Sequence, residues 1–155
     1  MLTNILLILW VVFTLAIVYN MLTWRRHCYA FQDWGKVDLP YITIDIQGKS
    51  FNMIPDSGGA LSVIRRSVLE GIDYEPLNRY VKLTALSDEG IPTEVVSIPI
   101  KIGDRTIKSD FIVYDGDNLA GFDLYGITMD GILGAEFFKA TEGMVDFNKK
   151  IVVFP

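Results

Sequence analysis

Asp56 is the residue of this chain best suited to chemistry. It stands in FNMIPDSGGALSVI, residues 51–64, where an apolar run ends at the carboxylate. The small residues Ser57, Gly58, Gly59 and Ala60 follow before the sequence turns apolar again toward Ile64. That pattern puts one carboxylate on a tight loop between buried strands. Gly58 and Gly59 permit backbone angles and a close chain approach that other residues resist. The short hydroxyls of Ser57 and Ser62 can hydrogen-bond the loop from within. A carboxylate aimed by a rigid loop is suited to proton transfer. Taken alone, however, Asp-Ser-Gly is also the composition of an ordinary turn.

The elements around the loop read as strands. Tyr41-Ile42-Thr43-Ile44-Asp45-Ile46 alternates apolar and polar residues, a spacing that collects Ile42, Ile44 and Ile46 on one face of a strand and scatters them on a helix. Gln47-Gly48-Lys49 turns the chain into Ser50–Ile54, giving a hairpin that delivers Asp56. Farther on, Asp130-Gly131-Ile132-Leu133-Gly134 leads into Ala135–Ala140, a short helix that Gly143 is expected to end, and Met144–Phe147 reads as a strand.

On these two motifs, their order and their separation, the chain resembles the retropepsin-like aspartic proteases. Their half-domain joins an Asp-(Thr/Ser)-Gly-Ala-x-x-Ser loop to a later Ile-(Leu/Ile)-Gly segment and a short helix. The resemblance covers roughly residues 41–154. It implies an all-β, retropepsin-like acid-protease half-barrel with a flap hairpin and one short helix. Two positions depart from the family pattern. Pro55 stands where another apolar residue is usual and removes an N–H just before the aspartate, and Gly59 stands where Ala is more usual.

Composition bounds the rest. At 155 residues the chain has room for one ordinary domain and an appendage. Fourteen Lys and Arg against 19 Asp and Glu, a net charge of -5, argue against nucleic acid as a partner. A single cysteine, Cys28, excludes an internal disulfide, and with the single histidine, His27, it makes no zinc cluster; both stand beside the apolar N-terminal stretch and read as juxtamembrane residues. No metal or cofactor is expected. Asp115-Gly116-Asp117-Asn118 lacks the spaced ligands of an EF-hand and reads as a solvated turn.

LTNILLILWVVFTLAIVYNMLTW, residues 2–24, carries no charged side chain and has the length of a transmembrane helix. It lacks the basic start, short apolar centre and small-residue cleavage site of a signal peptide. The expected organisation is therefore an anchor over residues 1–24, a juxtamembrane tether over 25–40 and the protease domain over 41–155. Arg25 and Arg26 directly after the span favour a cytoplasmic domain, with a periplasmic or extracellular one as the alternative.

Between the two motifs, Tyr80–Leu86 and Thr93–Val96 flank the polar tip 87–92 and predict a hairpin. The resemblance makes this hairpin the flap, with Ala85, Leu86, Gly90 and Ile91 covering substrate. Ser97–Ile102 and Thr106–Val113 predict another antiparallel pair around Gly103-Asp104-Arg105, with Pro99 at an edge or bulge. Met144–Phe147 and Ile151–Phe154 form the last expected hairpin.

Hydrolysis of a peptide bond without metal or nucleophile needs one group to deprotonate water and another to protonate the departing or carbonyl atom. Two adjoining carboxylates sharing one proton serve both ends. The chain offers one such loop, so the resemblance implies a homodimer that pairs Asp56 with its twin. By the same resemblance Ser57 braces the loop across the dimer, Gly58 allows close approach beneath the water, Ser62 bonds the outer side of the loop, and Gly134 packs under it. The expected partners are a second copy, a peptide or protein substrate and the lipid bilayer. A non-catalytic peptide-binding or dimerisation module, motivated by Pro55 and Gly59, is the alternative reading.

Overall fold

A computed structural model describes residues 10–18, 27–33, 36, 39–83, 91–116 and 126–155. In chain order the elements are α1 (residues 10–18), β1 (His27–Ala30), β2 (Ile42–Ile46), β3 (Lys49–Pro55), β4 (Ser62–Arg65), α2 (Arg66–Leu69), β5 (Glu75–Leu83), β6 (Ile91–Ile102), β7 (Arg105–Tyr114), β8 (Gly131–Leu133), α3 (Ala135–Thr141), β9 (Met144–Asp146) and β10 (Ile151–Phe154). Among the described residues the strands form a seven-stranded sheet in the order β2-β3-β8-β4-β7-β6-β5 and a three-stranded sheet in the order β1-β10-β9. The domain is therefore mostly β, with α2 as a second short helix beside the expected α3.

The β2–β3 hairpin turns on Gln47 and Gly48, both at positive φ, 55° and 81°. Two such residues match the twist of the flanking strands. The Gly48 N–H donates to Asp45 Oδ1 at 2.9 Å and fixes the turn.

Strand alternation gives the large sheet two apolar faces. Met53, Ile64, Val96, Phe111 and Leu133 point to the main core, together with Ile42, Ile44, Phe137 and Phe154. Their chain neighbours Ile54, Val63, Val95 and Ile112 point the other way, with Tyr41 and Met129.

Several expectations change in the fold. The stretch 25–40, expected to be a juxtamembrane tether, contributes β1, which pairs antiparallel with β10 from His27↔Phe154 to Ala30↔Ile151. Phe31 then enters the main core, only 8% exposed, and its N–H donates to the Lys150 carbonyl. The strands expected separately at 93–96 and 97–102 are one continuous β6. Pro99 is compatible with that strand because β5 pairs with β6 only as far as Ser97, so its missing N–H faces an open edge. Glu142, not Gly143, takes the left-handed conformation that ends α3, at φ 54°. Gly143 is needed for space, since a Cβ there would lie 2.7 Å from the Phe154 ring.

Of the apolar stretch 2–24, only α1 lies within the described residues, with Trp10, Val12, Phe13 and Leu15 exposed. Among the described residues no helix is long and apolar enough to cross a membrane. The rest of that stretch lies outside them.

Candidate active site

The loop that carries Asp56 joins β3 to β4, yet these strands are not neighbours. β8 lies between them, parallel to β3 (Ile54↔Ile132) and antiparallel to β4 (Val63↔Ile132). The Asp56 N–H donates to the Leu133 carbonyl at 2.9 Å, continuing the β3–β8 ladder by one residue. Successive N–H groups of a strand point to opposite sides. The Pro55 nitrogen therefore faces away from β8, on the side where β2, whose register ends at Ile42↔Met53, no longer runs. The proline removes a donor that the sheet does not use.

The carboxylate is exposed, and Oδ1 accepts from the N–H of Gly58 at 3.0 Å and of Gly59 at 3.2 Å. A Cβ on Gly59 would sit 3.1 Å from Asp56 Oδ2, and one on Gly58 would sit 3.3 Å from Oδ1. Glycine at both positions lets the chain wrap closely around the carboxylate. Ser57 is exposed at the loop tip.

Ser62 and Gly134 meet beneath the loop, where the buried Gly134 N–H donates to Ser62 Oγ at 3.0 Å. A Cβ at Gly134 would lie 2.5 Å from the Leu61 carbonyl carbon and oxygen and 2.9 Å from the Ser62 nitrogen. This backbone contact explains the glycine. The first N–H groups of α3, which have no acceptor within their own helix, donate to the loop. Ala135 reaches the Gly59 carbonyl at 2.7 Å and Glu136 the Ala60 carbonyl at 3.3 Å. The two sequence motifs are thus one hydrogen-bonded unit.

Half-buried Leu61, Leu77, Val81, Tyr114, Ile127 and Ile132 pack against Ile54, Val63, Val95 and Ile112. They give the sheet face that adjoins the loop an apolar floor. β5 and β6 pair across it as far as Leu83↔Ile91. Of the flap residues, Ile91 therefore opens β6, while Ala85, Leu86 and Gly90 lie outside the described residues.

Sequence reading did not single out Arg66. At the start of α2 its guanidinium bonds Asp115 after β7 and, at 2.5 Å, Glu94 of β6. Hydrogen bonds from Asp115 and then Glu94 raise its pKa further above the ordinary arginine value. No periodic or compositional signal links three residues so far apart in the chain.

The aspartyl protease family model matches residues 42–137, well over half of the chain. The chain belongs to the aspartyl protease family. The solved structures similar to this aspartyl protease include the retroviral protease-like domain of Ddi1 from Leishmania major, at 19% identity and a TM-score of 0.51, covering 76% of this chain and 89% of that one. A retropepsin-like aspartic protease from Rickettsia conorii is similar at 13% identity and a TM-score of 0.52, covering 84% of this chain and 88% of that one. These likenesses show that the aspartyl protease has a retropepsin-like fold. No curated protein matches it.

Proposed function

We propose that the chain is an aspartic endopeptidase that works as a homodimer, with Asp56 and its twin from a second copy sharing one proton. The observation that carries this reading is the presentation of Asp56, exposed at a loop tip while two main-chain N–H groups hold one of its oxygens. A carboxylate so held can meet an identical one across a two-fold axis. Two carboxylates brought into contact cannot both carry full charge, so the pair shares one proton in this reading. The ionised member takes a proton from water, and the protonated member gives one to the carbonyl oxygen of the substrate. The apolar floor beside the loop supports an extended peptide as substrate, paired to strand edges and covered by the flap.

Residues 1–24 anchor the domain to a membrane in this reading, and Arg25 and Arg26 favour a cytoplasmic domain acting on membrane-proximal or self substrate. The departures at Pro55 and Gly59, which motivated a non-catalytic binding module, have local explanations compatible with catalysis. The Pro55 nitrogen lies off the ladder, and the Gly59 N–H supports the carboxylate.

The test is cleavage of a peptide library at acidic and neutral pH by the wild-type protein and by Asp56→Asn. Wild-type activity that the variant lacks supports the assignment. Equal cleavage by both proteins sinks it, and a folded wild-type dimer that cleaves nothing favours the binding module.

A further inference from the structure

We propose that Asp130 is a positioning residue for Asp56, an inference that rests on the endopeptidase reading above. Because β8 separates β3 from β4, the two arms of the Asp56 loop stand two strand spacings apart, roughly 10 Å. Two clamps hold that gap. One lies directly beneath the loop, where the Leu133 carbonyl, Gly134 and Ser62 engage it.

Asp130 makes the other clamp, and it uses four atoms to do so. Its N–H donates to the Asn52 carbonyl at 2.9 Å, and its carbonyl accepts from the Arg65 N–H at 2.9 Å. Its carboxylate repeats both connections, Oδ2 accepting from the Asn52 N–H at 2.8 Å and Oδ1 lying 3.3 Å from Arg65 Nη2. The paired register of β3 and β8 begins at Met53↔Gly131. Oδ2 therefore serves as the acceptor for Asn52 just where β8 has run out. The Asp130 and Arg65 side chains are 16% and 14% exposed, so the pair is far better shielded than a surface ion pair. The Asn52 side chain extends the knot, accepting from Thr43 Oγ1 and donating to the Thr128 carbonyl, each at 3.1 Å.

Asn52 lies on β3, which runs directly into Asp56 roughly 13 Å away at the rise of an extended chain. A strand is stiff over that length, so a shift of the arms at Asn52 and Arg65 is carried to the loop tip. Two carboxylates that must share a proton tolerate little such displacement, and a misplacement of about 1 Å costs on the order of a hundredfold in rate. Asp130 thereby sets the height and spacing at which Asp56 meets its twin without touching substrate.

The experiment compares the full-length protein in detergent with Asp130→Ala and Asp130→Asn. The Asn variant keeps the side-chain volume and an acceptor for the Asn52 N–H but loses the charge facing Arg65, so it serves as the milder variant. Amide hydrogen exchange is read at Asp56 and at Val152 of β10, and kcat and KM are read per inhibitor-titrated site. In Asp130→Ala the Asp56 amide is expected to exchange at least about tenfold faster while Val152 is unchanged. The kcat is expected to fall by about tenfold or more with KM nearly constant, and Asp130→Asn to lie between.

Unchanged exchange at Asp56, or the same acceleration at Val152, overturns the proposal, because the second pattern is that of a residue acting on global stability alone. Unchanged kcat in a wild-type-active background overturns it as well. If the wild-type protein shows no Asp56-dependent cleavage, the endopeptidase reading fails separately, and the exchange pattern still decides whether Asp130 holds the loop.

Discussion

A carboxylate that is exposed yet bonded by two main-chain donors can be kept in place without being walled off from a partner. Asp56 has that arrangement through Gly58 and Gly59, and the loop is braced from below by the buried Ser62 and Gly134. Ser62 is 1% exposed and supplies the acceptor for the Gly134 N–H. Ser62→Ala leaves that buried donor without its side-chain acceptor, so about 1–3 kcal/mol of stability is expected to be lost in urea titration, together with activity. Tyr41 offers a pH test. Burial, and then its 2.6 Å hydrogen bond to Asp33, push its hydroxyl up to about 12 from an ordinary value of 10.0. A phenol whose pKa is raised on folding contributes stability that is complete below pH 10 and declines as pH rises toward 12. The stability difference between wild type and Tyr41→Phe is therefore expected to shrink over that interval.

At the scale of elements, the site depends on a strand inserted between the two arms of a loop and on a helix that starts against the same loop. Gly134 is the hinge between β8 and α3, and nothing larger fits against the Leu61 carbonyl. Gly134→Ala forces this backbone contact apart, with an expected cost of about 1–3 kcal/mol by overpacking. Because the clash bears on the loop itself, activity per folded molecule is expected to fall as well, as measured by kcat beside thermal denaturation. The tight Asp-Ser-Gly-Gly loop and the short helix after Gly134 were legible in the sequence, and the packing of Gly134 under the loop was what the family resemblance implied, whereas the insertion of β8 between the arms appears only in the fold. The pairing of Arg66 with Glu94 and Asp115 was not legible, because charged residues far apart in a chain have no pattern that reports their meeting.

For the whole molecule, the N-terminal region divides at about His27. β1 and Phe31 are part of the domain, and the anchor proposed over residues 1–24 precedes them in the chain. Confinement to a membrane plane raises the effective concentration of weakly associating domains. Removing residues 1–24 is therefore expected to leave the fold intact and weaken self-association. Sedimentation showing an equally tight dimer would count against a role for the anchor in assembly. Removing residues 1–33 is expected to unfold the domain by contrast. It strips β10 of a neighbour and takes Phe31 from the core, whose burial alone is worth about 1.5–3 kcal/mol. Circular dichroism of the two truncations separates these effects.

The strand period around Ile42–Ile46, the glycine-rich loop and the Ile-Leu-Gly segment come from local rules of backbone and side-chain direction, which a sequence carries on its face. They were sufficient for strands around a tight loop at Asp56, and the family resemblance that these motifs carry implied the retropepsin-like fold. The tertiary structure alone decided that β1 completes a sheet with β10, that the Pro55 nitrogen falls off the ladder, and that Asp130 ties Asn52 to Arg65. Each of these depends on which strand comes to lie beside which, and that choice is made by burial of the whole chain, not by any short stretch of it.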